Sequence, residues 1–388
     1  MKAAASLQRH ALQARAFAAS LQRHALQARA FAAASALFTR LRSVLDAALP
    51  PAVRAVQIGS AFWQSRALDV AVRLDLATTL GDDRLAPEDL AVRTGTDPQA
   101  CRRLLRYLSS LGVFAFGADG RVCNNAVSNT LRRDRPGSVR HLVLMHNAPE
   151  MTRAWIDGLE AAVRGGGVPF ERVHGVPLYA CMDERPDFDA LFARAMDEVG
   201  ALTGDAFVSS LAWDRFEHLV DLGGGKGAKT AAILRAHAQL RATVFDRPAV
   251  IALARSWWQD EPGRRALAGR VTFECGDLMH DPLPAAPGPR TVYLLSAVLH
   301  GLDDDAAGAL LARVRSAAGD SGARVVVMEA VMGTDPAVAA LDIQMFIGTQ
   351  GRERTLGEWE TLARAAGLRV DEVVRMPSLG ALIVLARA

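Results

Sequence analysis

Two hydrophobic periods divide the chain. From residue 61 to about residue 205, apolar positions recur at the spacing of amphipathic helices. Residues 61–80 read as one such helix, and 86–94 and 97–111 as a helix–turn–helix pair separated by Gly95. Residues 113–116 and 121–124 flank the turn Gly117-Ala118-Asp119-Gly120, which predicts a hairpin wing. Residues 141–205 continue as helix with a break at Gly165-Gly166-Gly167. From His218 the pattern becomes strand–helix alternation, with apolar or β-branched runs at 218–222, 241–245, 271–275, 291–296, 323–328, 368–376 and 381–386. The first five are each followed by a helical segment or a long crossover, whereas 377–380 is too short for a helix. An α/β fold is expected: a doubly wound, Rossmann-like sheet with an antiparallel last strand, behind a mainly helical winged-helix region.

The N-terminus carries a perfect tandem duplication, SLQRHALQARAFAA at 6–19 and again at 20–33. Leu7, Ala11, Ala14 and Phe17 fall on one face of a helix, and fourteen residues close to about four turns, so both copies present similar stripes. A subunit-pairing helix, a targeting segment and a frayed extension all fit that composition.

Charge narrows the partners. The chain has 45 Lys+Arg against 42 Asp+Glu, but residues 1–45 hold seven bases and no acid, leaving 46–388 at about −4. Such a body suits nucleic acid poorly, and on residues 97–111 the basic cluster is limited to Arg102, Arg103 and Arg106, beside Leu104, Leu105 and Leu108 as a buried face. No run of about 18 uninterrupted apolar residues is present, so no spanning helix is expected. Cys101, Cys123, Cys181 and Cys275 are dispersed and the histidines unclustered, which argues against disulfides or a zinc site and for a reducing, cytoplasmic setting.

The loop after the first strand of the sheet is Asp221-Leu222-Gly223-Gly224-Gly225-Lys226-Gly227-Ala228. Gly223, Gly225 and Ala228 satisfy a relaxed dinucleotide fingerprint, with Asp246 ending the next strand as a ribose partner. Gly223 to Thr230 nearly make a phosphate loop, and the same residues suit S-adenosylmethionine. Asp221 favours the last reading, because a carboxylate would face an ammonium group and repel a pyrophosphate. Asp277 lies just beyond the third strand, over the adenine position of such a fold, and Lys226 and Lys229 read as solvated first-turn residues.

The runs HLVDLGGGKG, TVFDRP, FECGDLMHDPLP, YLLSAVLHGLDDD, VVVMEAVM and LDIQMFIGTQGRERTLGEWETLARAAG resemble, in order, the plant-type (family 2) small-molecule O-methyltransferases and their bacterial relatives. The resemblance runs from about residue 55 to the C-terminus. Behind the duplicated amphipathic extension (1–45), it implies three regions: a winged-helix-like dimerisation domain (46–140), a helical linker roofing the substrate pocket (141–205) and a catalytic domain (206–388). It implies S-adenosylmethionine as cofactor, with S-adenosylhomocysteine as product and no metal, held by Asp221, Gly223, Gly225, Asp246, Arg247, Asp277, Leu278 and Ser296. It implies a homodimer with no nucleic-acid or membrane partner.

His300 follows the fourth strand at the carboxyl edge of the sheet; Glu329 ends the fifth strand and Glu353 lies in the GRERT turn. In the resembling family the matching His is the general base and the matching acids hold its imidazole. A neutral imidazole suits the removal of a phenolic proton, which ordinarily leaves at a pKa of about 10. The family usually has His-Asp-Trp where this chain has His300-Gly301-Leu302. By the same analogy Met145, Trp155, Phe192, Met196, Met345, Phe346 and Thr349 line the pocket for a small aromatic acceptor, with His146 and Asn147 as polar guides. N-methylation, or a non-methyl reaction by a repurposed member, is the alternative.

Overall fold

The structure, a computed structural model, describes residues 37, 41, 48–333, 335–376 and 380–388, which fall into two units, 37–204 and 205–388. The duplicated segment at 6–33 lies outside the described residues.

In the first unit, α1 (Pro51–Arg73) and α2 (Leu76–Leu80) replace the single helix expected over 61–80. The break is at Asp75, whose backbone is left-handed at φ 55°. Its carboxylate accepts from the Thr78 hydroxyl and pairs with Arg133 and Arg140. Partners more than fifty residues downstream therefore interrupt a helix that local spacing would continue. The winged motif follows as β1 (Arg84–Leu85), α3 (Pro87–Thr94), α4 (Pro98–Ser110), β2 (Phe114–Phe116) and β3 (Val122–Asn124), with an antiparallel order β1-β3-β2. The Asp97 carboxylate caps α4 by accepting from the Ala100 N–H. Leu105 and Leu108 are buried with Leu76, Leu80, Leu90 and Phe114, whereas Leu104 is only partly covered. Arg102 of the basic cluster pairs with Glu88. Residues 140–204 complete the unit with α5 (Arg140–His146), several short helices, and α6 (Pro186–Thr203). They belong to the same unit as the wing.

The second unit is built on β4 (His218–Leu222), β5 (Arg241–Asp246), β6 (Val271–Cys275), β7 (Thr291–Ser296), β8 (Arg324–Ala330), β9 (Leu368–Arg375) and β10 (Gly380–Arg387). Among the described residues these form one seven-stranded sheet, ordered β6-β5-β4-β7-β8-β10-β9. The first five are parallel, and β10 runs antiparallel between β8 and β9.

Alternate residues feed two cores. Val292, Leu294, Val326, Leu382 and Val384 pack with Ile233 and Leu234 of α7 (Ala228–Ala236) and Trp258 of α8 (Pro248–Gln259). Tyr293, Leu295, Val325, Val327, Ile383 and Leu385 face Leu310, Leu311 and Val314 of α9 (Asp304–Ala318). Trp359 and Leu362 join that second core from α11 (Leu356–Ala365), which follows α10 (Pro336–Gly348). The chain leaves β4 toward β5 on one side and reaches β7 on the other. That reversal of strand order opens the crevice where open α/β sheets place ligands.

Candidate active site

The glycine loop closes over the end of β4. Gly223 (φ 69°) and Gly225 (φ 60°) are left-handed, and a Cβ on Gly223 would come within 2.8 Å of Val298. Asp246, at the end of β5, accepts from the Gly225 N–H at 2.8 Å and from the Arg247 N–H at 2.7 Å, so one carboxylate ties the loop to the neighbouring strand. Gly225 has nothing within 4 Å of where a Cβ would stand. The Asp221 carboxylate is buried beneath the loop, accepts from the Thr230 hydroxyl at 2.6 Å, and is pushed up to about 6 by burial. Leu278 approaches Gly223, and Ser296 ends β7 half-buried.

Asp277 follows β6 and is also held by its own turn. Its carboxylate accepts from the Met279 and His280 N–H groups at 2.7 and 3.0 Å and meets the His280 ring at 2.9 Å. Burial works against ionisation there, but those donors hold the group below the usual carboxylate range.

On the other side of β4, the backbone turns sharply after β7. Ala297 is left-handed at φ 53°, a strained conformation for a residue with a Cβ. The turn aims the Val298 and Leu299 N–H groups at Glu329 Oε1, 2.9 and 3.0 Å away. His300 follows, and its Nδ1 lies 2.8 Å from Glu353 Oε1 and 3.6 Å from Glu329 Oε2. The two carboxylates are thus not equivalent, whereas the resemblance gave both the task of holding the imidazole. Glu353 takes the ring N–H; Glu329 chiefly braces the backbone that carries the ring.

All three groups are at least largely buried. Burial pulls the imidazole down, but the facing Glu329 and Glu353 outweigh it and hold His300 above its usual value. Burial likewise pushes Glu329 up, against His300 and the two N–H donors. Their ligand atoms lie within 4.8 Å of one another, a spacing a small cation would tolerate, although Nδ1 is already hydrogen-bonded to Glu353.

Residues that sequence reading passed over complete this half. The Glu353 N–H donates to Asp342 Oδ1 at 2.8 Å, which sets the turn against α10. A Cβ on Gly351 would overlap the His300 carbonyl, so the 351–354 turn presses directly on the His300 backbone. The GRERT run was the available signal for Gly351; Asp342 and Ala297 offered none, since their roles depend on tertiary neighbours.

The expected acceptor residues divide between the units. On the catalytic unit, Met345, Phe346 and Thr349 are half-buried at the end of α10. The Thr349 hydroxyl donates to the Met345 carbonyl at 2.9 Å and accepts from the Gly351 N–H at 3.1 Å, so it joins α10 to the turn. In the helical unit Met145 is buried, and Phe192 is half-buried edge-on to Phe188. Met196 is exposed. Trp155 lies on a single π-helical turn (Ala154–Gly158) and lines an open depression of about 470 Å³ with Ile156, Leu159 and Val163. The His146 ring is accessible, yet surrounding protein desolvates it enough to lower its pKa. Asn147 is not a free polar guide. Its Oδ1 accepts from Ser65 and Arg66 at 3.1 Å each, and its Nδ2 donates to the Val143 carbonyl at 3.0 Å.

The model of the O-methyltransferase domain matches residues 155–369, and that of the O-methyltransferase dimerisation domain matches 56–134. A phenazine O-methyltransferase of Lysobacter antibioticus is 30% identical over 343 residues, which cover 88% of this chain and 97% of that protein. Phenazine-1-carboxylate N-methyltransferase of Pseudomonas aeruginosa is 30% identical over 336 residues, 86% of this chain and 96% of its own. A solved neocarzinostatin-biosynthesis O-methyltransferase, in complex with S-adenosylmethionine and 2-hydroxy-5-methyl naphthoic acid, aligns with TM-score 0.71 at 29% identity, covering 84% of this chain and 96% of that one. The chain belongs to the bacterial, small-molecule branch of the plant-type S-adenosylmethionine-dependent O-methyltransferases.

Proposed function

We propose that this enzyme methylates a hydroxyl of a small aromatic metabolite, with His300 as general base. The hydrogen bond from His300 Nδ1 to buried Glu353 carries the reading, because it leaves Nε2 as the proton-accepting nitrogen. When bound, S-adenosylmethionine supplies a methyl group already activated on a sulfonium. The protein's tasks are then to align the acceptor and remove its proton.

The loop fits that cofactor. Left-handed Gly225 beside open space gives a close backbone approach, and Asp246 would supply acceptors for ribose hydroxyls. Asp221 would hold the ammonium end, and Asp277 with Leu278 the adenine. Gly223, Arg247 and Ser296 would complete the cradle. As His300 takes the acceptor proton, Glu353 stabilises the imidazolium, while Glu329 keeps the turn from recoiling. Met345 and Phe346 offer sulfur and aromatic surface to a flat ring.

Pairing through the helical unit is part of the proposal. Val56 and Trp63 of α1, seven residues apart and so on one side of the helix, are 69 and 64% exposed, an apolar stripe that a second copy would cover. Light scattering at micromolar concentration tests this, with a monomer as the contrary result. Among the described residues no helix is long and apolar enough to cross a membrane.

The N-methyltransferases among the relatives motivate a second reading, transfer to nitrogen. A matched pair of acceptors, one phenol and one aromatic amine on the same ring, separates the two with labelled S-adenosylmethionine. The hydroxyl reading expects label on oxygen; label on the amine alone supports the other.

A further inference from the structure

Arg354 is fully buried one residue after Glu353, and its guanidinium reaches across to the turn that carries His300. Nη1 donates to the Leu299 carbonyl and Nη2 to the Leu302 carbonyl, both at 2.8 Å, so the fork grips the backbone on either side of His300-Gly301. Nε donates to Asp304 Oδ1 at 2.8 Å, and the guanidinium lies 5.2 Å from the Trp359 ring centroid. The Arg354 carbonyl accepts from the Met332 N–H at 2.9 Å, just past β8, the strand that carries Glu329. One residue therefore docks the turn of Glu353, the turn of His300 and the end of β8 against one another.

We propose that Arg354 is a positioning residue for the base: its fork fixes the His300 turn against the turn of Glu353, and its buried cation acts on the same ring. This rests on His300 being the base. The charged groups around the ring are Glu329 from β8, Glu353 and Arg354 from the 351–354 turn, Asp304 from α9 behind Arg354, and Asp342 from α10 behind the Glu353 N–H. Glu329 and Glu353 favour the protonated ring, and a ring protonated before the acceptor arrives is no base. Arg354 opposes them, lowering the imidazole's proton affinity. Its guanidinium is paired with half-exposed Asp304, which it shares with Arg352. Geometry and electrostatics thus meet in one side chain, which lysine cannot replace because it lacks the fork.

The test titrates His300 by imidazole NMR in the full-length enzyme with S-adenosylhomocysteine, identifying its resonance by loss in His300→Gln. In Arg354→Gln the midpoint moves to higher pH, and kcat at pH 7 falls by about 10-fold or more, with part of the loss recovered at alkaline pH. An unmoved midpoint, with wild-type melting temperature and S-adenosylhomocysteine affinity, would overturn the electrostatic role. Arg354→Lys, which keeps the charge, lowers kcat by about 10-fold at every pH without loss of ligand affinity. Wild-type turnover in that variant would overturn the positioning role, and it decides the matter if Arg354→Gln does not fold. Full activity in His300→Gln would instead defeat the base assignment, whatever the Arg354 midpoints show.

Discussion

The two halves of the site share one sheet edge and are built by opposite rules. On the β4–β6 side, acids are bound by backbone N–H groups of their own or adjoining loops: Asp246 by Gly225 and Arg247, Asp277 by Met279 and His280. On the β7–β8 side, groups more than twenty-five residues apart hold one another: the His300 ring with Glu353, Arg354 with the carbonyls around His300, and Glu329 with the Val298 and Leu299 N–H groups. The first half is a cradle of short loops tied by their own and neighbouring backbone. The second is a buried network in which each member depends on the rest, the situation in which an unpaired group is most costly.

That contrast predicts unequal damage. After loss of His300 itself, the largest effect expected is from Glu353→Gln, which removes the carboxylate partner of the imidazole and lowers kcat by about 100-fold. Glu329→Gln keeps an oxygen for the Val298 and Leu299 N–H groups and loses less. Steady-state kinetics beside calorimetry with S-adenosylhomocysteine checks both, and equal losses would erase the distinction between the carboxylates.

Gly351→Ala comes next. The added methyl must displace the His300 carbonyl, and a misplacement of about 1 Å costs up to about 100-fold in turnover. A lowered melting temperature should accompany it, with cofactor affinity changed far less. Wild-type kcat would mean the two turns are not docked as described.

A smaller effect comes from pH. Since His300 is held above its usual value, its neutral fraction grows as pH rises through that higher midpoint. The acid limb of kcat should therefore lie above about 6.5, leading to an alkaline plateau. A limb below that value would contradict the carboxylate field.

The smallest effect on chemistry, and the clearest on stability, belongs to the cradle. Asp221 binds a proton more tightly folded, at about 6, than its ordinary 3.8. A raised carboxyl loses stability as pH climbs from the unfolded to the folded value, here from about 4 to 6, and the loss is of order 3 kcal/mol. Asp221→Asn should flatten melting temperature over that window and weaken S-adenosylmethionine. An unchanged slope would place Asp221 outside the energetics of the loop.

The same contrast explains what could be read from sequence. The five parallel strands and the antiparallel last hairpin were legible because each is a run rich in apolar or β-branched residues bounded by turn residues. The glycine loop was legible because its chemistry is contiguous. His300, Glu329 and Glu353 were named through resemblance, yet their division of labour was not visible, because it depends on the Ala297 turn and a 3.6 Å against a 2.8 Å approach. Arg354 and Asp342 carry no local signature; only the packed turn shows what they hold. The break at Asp75 was missed for the same reason, since Arg133 and Arg140 stabilise it from far along the chain.

The most direct test of the account is single-turnover methyl transfer to a phenolic acceptor by wild-type enzyme and His300→Gln, with S-adenosylhomocysteine affinity measured in parallel. The account predicts that the variant binds the ligand as the wild type does and transfers the methyl about 100- to 10,000-fold more slowly. Transfer at an undiminished rate would contradict it.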